Sequence, residues 1–577
     1  MKETITNLRK VFKAAGEYRK HFIAIFLTSI IQIIIGVILP LYTAKQIVLL
    51  TNNIYEELVL ASLMVLGISL LNNLNTFIMG KACNKFRIGT IKNLQIKLGC
   101  ELLKIQEKDI QKNGTGTFIE RLTNDTDNMA DMFTHGTGYI SKTLMNAGIF
   151  IAVFIINKYV FCFYFIVALI LTTLHLLKSD KMGKLDILVR RQRDKVSSLV
   201  GELVRGEKDL KMLSAKHTFL NKLDSEIADK NKKAYKKRCV NLSYSLLIKS
   251  LSDIFVFSLI LLLIILIRYN VILPSIAVAL FTYKTNIMTN FMDNISNLLD
   301  EVKNFNISTN RVFAVIENKE FKREKFSTKH LDSVEGNFEF KNVSFSYDGK
   351  SNVLDNMSFK INSGETVAFV GRSGAGKSTI FNLLGKIYDI DKGQILIDNT
   401  DINTLDEDSI RSNITVISQN PYIFNMSIRD NFYLVKDNIT DEEIEEVIKL
   451  ACLDEFINSL PEKLDTIIGE GGTNLSGGQK QRLAIARALI QKTKIILFDE
   501  ATSALDNETQ FQIQKAIDNL KGEYTILIIA HRLSTIKNSD RILLVENGKI
   551  TAEGTHKKLL ENSKTYKKLY ESEQIEK

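Results

Sequence analysis

Residues Gly371, Arg372, Ser373, Gly374, Ala375, Gly376, Lys377, Ser378 and Thr379 follow the spacing G-x-x-x-x-G-K-[ST]. That order is built for phosphate. Glycines let successive backbone N–H groups turn inward around an anion, and a helix N-terminus adds partial positive charge. Lys377 is then the group that reaches the outer phosphates of a nucleoside triphosphate, and Ser378 the hydroxyl that meets its Mg²⁺. The flanks agree. Thr366–Val370 reads as a short buried strand and Ile380–Leu384 as the continuation of a helix, which is the strand–turn–helix order the loop requires.

Two further groups bear on the same chemistry. The run Ile495-Ile496-Leu497-Phe498-Asp499-Glu500 is an apolar strand that ends in two carboxylates. Alone it reads as a surface pair at a strand exit. Below a phosphate loop, Asp499 is the residue that holds the Mg²⁺ shell, and Glu500 the one that orients or deprotonates an attacking water. Ser476, Gly477, Gly478 and Gln479 open a helix predicted to run through Leu489, a second place where backbone donors meet an anion. One triphosphate does not need two such sites in one domain. The simplest resolution is that each serves a different nucleotide, shared with a second copy of the chain.

These residues occupy the second half of a chain of 577 residues, and the first half has another character. Long apolar runs fall near 21–44, 58–80, 138–156, 159–177, 246–267 and 271–292, each close to the length that spans a bilayer core. The connections 51–57, 157–158 and 268–270 are short, whereas the regions 81–137 and 178–238 are long and rich in Lys and Arg. The positive-inside bias then puts the N-terminus and both long connections in the cytoplasm. Their apolar periodicity and scarcity of proline predict helices that continue past the lipid, broken near 111–116 and 206–210. Pro40 is a candidate kink. Residues 1–20 form a basic helix, either on the membrane surface or solvated. The net charge of +10, and the cluster Lys230–Arg238, also suit nucleic acid, but topology already explains the cluster. Five scattered cysteines exclude a C-x-x-C zinc or disulfide framework. Lys249 and Asp253, four apart and able to pair, and Lys284 are the charges inside spans; Asn72, Asn73 and Asn75 suit interhelical hydrogen bonds. The expected architecture is an α-helical six-span transmembrane domain (1–316) fused through a charged linker (317–335) to an α/β P-loop nucleotide-binding domain (336–577). Short strands are expected at Phe338–Phe340 and Val343–Phe345.

In this order the motifs resemble those of ATP-binding cassette (ABC) transporters of the exporter type, over nearly the whole chain. The resemblance implies ATP and Mg²⁺ as ligands and an ATPase coupled to transport. Tyr347 resembles the aromatic that stacks on adenine. Gln419 resembles the residue that touches Mg²⁺ and senses the membrane half. Leu475–Gln479 is similar to the family signature. Ser503–Asp506, with Asp506 among the nucleotide-site residues, resembles the loop that crosses the dimer, and His531 the switch histidine near the γ-phosphate. The family's arrangement implies a head-to-tail pair of half-transporters, with ATP between Lys377 of one copy and Ser476 of the other. Intact motifs favour a homodimer, and a degenerate partner stays open. The regions 111–118 and 207–213 resemble the helices that touch the nucleotide domains. Cargo is left open among amphipathic small molecules, peptides and lipids. Import on the same architecture and an ATP-gated regulator or channel also stay open, and six apolar runs discourage a soluble DNA-repair ATPase. The expected location is a cell membrane, multi-pass, with the nucleotide domain cytoplasmic and no nucleic-acid partner. A composition rich in Ile, Lys and Asn and without Trp suggests a bacterium with an A·T-rich genome.

Overall fold

The apolar runs fold as helices much longer than a bilayer is thick. The computed structural model describes residues 2–575 apart from 53, 285–289, 348, 419–420, 437, 470–474, 500–506 and 530–535. Among the described residues five helical stretches are long and apolar enough to cross a membrane: Gly16–Thr51, Tyr55–Leu102, Thr115–Ile156, Lys158–Arg205 and Lys216–Arg268. The expected sixth span is represented by helix Pro274–Thr282 and the start of helix Phe291–Ile316, with 285–289 between them outside the described residues. At 1.5 Å per residue a helix of 48 residues is roughly 72 Å long, more than twice a hydrocarbon core of about 30 Å. The extension past the lipid is therefore part of the same rods.

Helix ends fall where the local chemistry dictates. Asn157 separates two helices, and its side chain accepts from the N–H groups of Tyr159 at 3.0 Å and Val160 at 3.1 Å, capping the next one. Gly114, at φ +74°, separates helix Glu107–Asn113 from helix Thr115–Glu120, and Gly206 separates Lys158–Arg205 from Glu207–Met212. The first long helix continues through Pro40. Two polar side chains link the first two long helices: buried Asn75 donates to the Thr28 carbonyl at 3.0 Å, and the more exposed Gln46 to the Ser62 hydroxyl at 3.0 Å. Lys249 and Asp253 share a helix but form no ion pair, and the Lys284 ammonium lies 3.6 Å from the centre of the Phe281 ring. The N-terminal helix Lys2–Ala14 is anchored to its own unit. It packs on helix Phe291–Ile316, where Asn7 donates to Asn306 and Asn310 at 3.0 and 3.2 Å and Lys10 pairs with Glu317 at 2.5 Å.

The chain divides into two compact units, Met1–Leu103 with Asn113–Glu320, and Lys104–Lys112 with Phe321–Lys577. The second unit contains two principal sheets and a short antiparallel pair, β7 (Met426–Ser427) with β8 (Ile467–Ile468). Strands β1 (Phe338–Phe345), β2 (Leu354–Ile361), β4 (Lys392–Ile397) and β5 (Thr400–Asp401) form an antiparallel sheet in the order β2-β1-β4-β5. The two short strands expected around 338–345 are one strand with a bulge. Asn342 takes φ +50° there, and a side chain on Gly393 would meet the Lys341 and Asn342 carbonyls at 2.5 and 2.4 Å. The larger sheet holds β3 (Thr366–Val370), β6 (Ile414–Ile417), β9 (Ile495–Asp499), β10 (Thr525–Ile529), β11 (Arg541–Glu546) and β12 (Lys549–Gly554), in the order β12-β11-β3-β10-β9-β6. All pairs in it are parallel except β11–β12. Its central strands are unbroken apolar runs because both faces are covered. Ala368, Phe498 and Ile528 belong to one core, whereas Val367, Leu497 and Leu527 belong to the other. Phe498→Ala is expected to cost about 3–5 kcal/mol, checked by chemical denaturation.

The stretch after the helical unit is tied down rather than free. Ser327 donates to the Leu405 carbonyl at 2.8 Å, and His330 Nδ1 lies 2.7 Å from the Asp406 carboxylate. Asp406 is held down to about 2, chiefly by the Ser409 hydroxyl and N–H and then by His330, and in return its carboxylate raises the His330 pKa. A raised imidazole stabilises fully below its ordinary value of 6.5 and loses that contribution as pH rises through the raised one. The depressed carboxylate contributes above 3.8 and loses it as pH falls through about 2. The clasp is thus strongest between those ordinary values. A His330 NMR titration is expected above 6.5, and Asp406→Asn should return it towards that value.

Candidate functional site

Strand register brings the phosphate chemistry to one edge. Phe369 pairs with Ile529, Ile529 with Asp499, and Phe498 with Ile417. Four parallel strands therefore finish almost level. The loop 371–376 leaves β3 at that edge, and Asp499 is the last residue of β9. In sequence Gln419, Glu500 and His531 follow within two residues of the ends of β6, β9 and β10. Those three and Asp506 lie outside the described residues.

The loop needs its glycines for two different reasons. Gly374 and Gly376 have φ +80° and +99°, which side chains resist. A Cβ on Gly371 would lie 2.1 Å from the Val545 carbonyl oxygen, so the loop's start is pressed against β11. Gly371→Ala is expected to destabilise by about 3 kcal/mol because the obstacle is backbone. Gly374→Ala meets nothing within 4 Å and carries only the conformational cost, roughly 1 kcal/mol. Thermal unfolding of the two variants checks that order.

Helix Lys377–Leu384 starts directly after Gly376. The Lys377 ammonium is nearly buried and donates to the carbonyls of Gly371 at 2.8 Å and Arg372 at 3.0 Å. The Ser378 hydroxyl lies 3.3 Å from Asp499 Oδ1. A hydroxyl and a carboxylate side by side are the hard oxygen donors that suit Mg²⁺, which leaves most of its shell to water and phosphate. Arg372, Ser373, Gly374 and Ala375 line a cavity of about 690 Å³ with Thr565 and Lys568 of the C-terminal helix Lys564–Ile575. Thr379 is buried and its hydroxyl is 3.1 Å from the Tyr347 phenol.

Tyr347 is tightly framed. Asn382 donates to its hydroxyl at 3.4 Å, and Phe345 and Tyr388 contact its ring edge to face at 4.9 and 5.2 Å. Lys108 donates to its carbonyl. Sequence reasoning missed Asn382, Tyr388 and Lys108. Asn382 sits three residues past Thr379 on the same helix, so its position was readable; Lys108 is 239 residues from Tyr347 and gave no signal. Segment Lys104–Lys112 joins this unit through an Ile105–Arg323 bridge, a Gln106 N–H to Lys322 carbonyl bond of 2.9 Å and a Lys322 N–H to Asp109 bond of 2.8 Å.

The segment expected to form a second anion site begins helix Gly477–Gln491. Ser476 Oγ accepts from the Gln479 N–H at 3.2 Å, and Gln479 Oε1 accepts from the Ser476 N–H at 2.8 Å, a reciprocal cap. The cap leaves the Ser476 hydroxyl hydrogen able to donate, and the N–H groups of Gly477 and Gly478 at the positive end of the helix.

A family model described as "ABC transporter" matches residues 354–503, and one described as "ABC transporter transmembrane region" matches residues 22–292. An ATP-dependent lipid A-core flippase of Haemophilus influenzae (strain 86-028NP) is 50% identical over 213 residues, 37% of this chain and 36% of the relative. The flippase of Escherichia coli (strain K12) is 48% identical over 212 residues, 37% and 36% of the two chains. ATP-binding cassette sub-family B member 5 of Mus musculus is 50% identical over 211 residues, 36% of this chain and 17% of the relative. The matched stretch thus spans little more than a third of each flippase. The two ABC transporter models together match most of the chain, and with its apolar helices followed by a strand-rich nucleotide-binding unit it is a multi-pass membrane protein that belongs to the ABC transporter family.

Proposed function

We propose that two copies of this chain form an ATP-driven exporter of amphipathic, lipid-like cargo. The supporting observation is the level edge of β3, β9, β10 and β6, which puts the phosphate loop beside Asp499, together with a second helix start at Ser476. In this reading Tyr347 stacks on adenine and the loop N–H groups with Lys377 hold the phosphates. Ser378, Asp499 and Gln419 hold Mg²⁺, which supplies charge neutralisation at the phosphate oxygens. Glu500 orients the water and takes its proton. His531 reads the γ-phosphate. Ser476, Gly477, Gly478 and Gln479 of the second copy, with its Asp506, close the site. ATP binds the closed pair better than the open one, and that difference in affinity shifts the membrane region between its two states. The N-terminus and nucleotide domain face the cytoplasm. The flippases' name, which gives lipid A-core as what they move, favours a lipid over a hydrophilic peptide.

Proteoliposomes carrying the purified protein and a fluorescent lipid test it. ATP should move the lipid to the leaflet opposite the nucleotide domains, and Lys377→Ala should stop it. ATP-dependent current without lipid movement would replace export with a gated channel.

A further inference from the structure

Beside the start of the first long helix and midway along the second, where its apolar run gives way to lysines, lies a groove of about 740 Å³ whose wall is largely apolar. Phe77, Lys81, Lys85 and Ile88 contribute from one helix, at spacings of four, four and three, which put them on one face. Tyr18 and His21 contribute from the other side. Tyr18 fits there because its neighbour is Gly89; a Cβ on that residue would lie 2.2 Å from the ring. Phe77 is 68% exposed and Ile88 67%, so the chain itself does not cover this apolar wall. Among the described residues no carboxylate forms an ion pair with Lys81 or Lys85.

The level of the groove matters. The apolar run of the second helix ends at Gly80, and that of the first begins at His21. Lys81 and His21 therefore stand where hydrocarbon gives way to headgroups. An occupant must present an apolar body to Phe77 and a negative group to Lys81, Lys85 and His21. Water satisfies the cations but not the ring; a soluble anion satisfies neither the ring nor Ile88.

We propose that this groove binds an anionic phospholipid from the leaflet that meets the helices at the level of His21 and Lys81, its phosphate between Lys81, Lys85 and His21 and an acyl chain along Phe77. It is a bound lipid on the outside of the helices, separate from any cargo path, and does not depend on what the protein transports.

The chain contains no tryptophan, so Phe77→Trp installs a single reporter inside the groove. In the full-length protein in mixed micelles, brominated phosphatidylglycerol should quench this residue at about one tenth the lipid fraction that brominated phosphatidylcholine requires, the selectivity expected of one or two lysines near a membrane surface. Adding Lys81→Gln and Lys85→Gln should bring the two lipids together. Lys178→Gln with Lys181→Gln, cations on another helix, should leave the preference intact. Equal quenching by both lipids in the single-reporter protein overturns the proposal, as does a preference that survives loss of Lys81 and Lys85 or vanishes with Lys178 and Lys181. Millimolar glycerol phosphate should not relieve the quenching; if it does, the groove reads a free phosphate and the lipid assignment fails.

Discussion

Protein carrying Glu500→Gln is expected to bind ATP normally and to hydrolyse it roughly 10²- to 10⁴-fold more slowly, the range for loss of a positioned general base. The substitution keeps size and hydrogen-bonding capacity and removes the basic oxygen. Nucleotide affinity should therefore stay close to wild type, because Lys377 and the loop N–H groups are untouched. The split between binding and turnover is the diagnostic. Equilibrium binding of a fluorescent ATP analogue and steady-state phosphate release measure the two sides. Normal turnover in the purified variant would remove Glu500 from the chemistry and leave Asp499, 3.3 Å from the Ser378 hydroxyl, as the only acidic group argued for at that edge.

The second large effect separates a shared site from a private one. Lys377→Ala and Ser476→Ala each disable hydrolysis when present in every copy. When the two variants are co-assembled, a mixed pair has one composite site lacking both residues and one lacking neither. Mixed pairs are then expected to recover about half of wild-type ATPase activity, provided one intact site turns over alone. If each site is complete within its own chain, both sites in a mixed pair are damaged and activity stays at the level of the parents. Purification through two different affinity tags isolates the mixed pair. The structure makes Ser476 informative because its hydroxyl already accepts from Gln479, so Ser476→Ala also weakens a helix cap by about 1 kcal/mol. Ser476→Asp keeps the cap acceptor but brings a negative charge towards phosphate. It should hold thermal stability and lose hydrolysis, which distinguishes the two roles.

Parts of this site were readable because they are local. The phosphate loop is nine consecutive residues whose glycine positions follow from backbone sterics, and the strand ending in Asp499 is one apolar run. The long spans and their capping residues are similarly local: Asn157 closes one helix boundary from its own side chain. What the sequence does not carry is adjacency. Nothing in the spacing says that β3 sits between β10 and β11, or that β6 pairs with β9, Ile414 opposite Ile495 at a separation of 81 positions. Nor does it say that Ile105 bridges to Arg323, since an isoleucine in a basic stretch looks like any other apolar position. Asn342 illustrates the opposite case. Its left-handed backbone breaks an apparent alternation, so one bulged strand looked like two.

The long helices of the first unit also have a mechanical meaning. Three of them, Tyr55–Leu102, Lys158–Arg205 and Lys216–Arg268, are uninterrupted α-helices, whereas Thr115–Ile156 contains two wider turns at Arg121–Asp125 and Met132–Gly136. A rod of roughly 72 Å that pivots by about 10° sweeps its far tip through about 12 Å, so a modest tilt is geared up into a large excursion. The three stiff rods act as levers of fixed length. In the proposed cycle the fourth, with slack built into its winding, is the member able to change pitch and absorb the strain as the others swing.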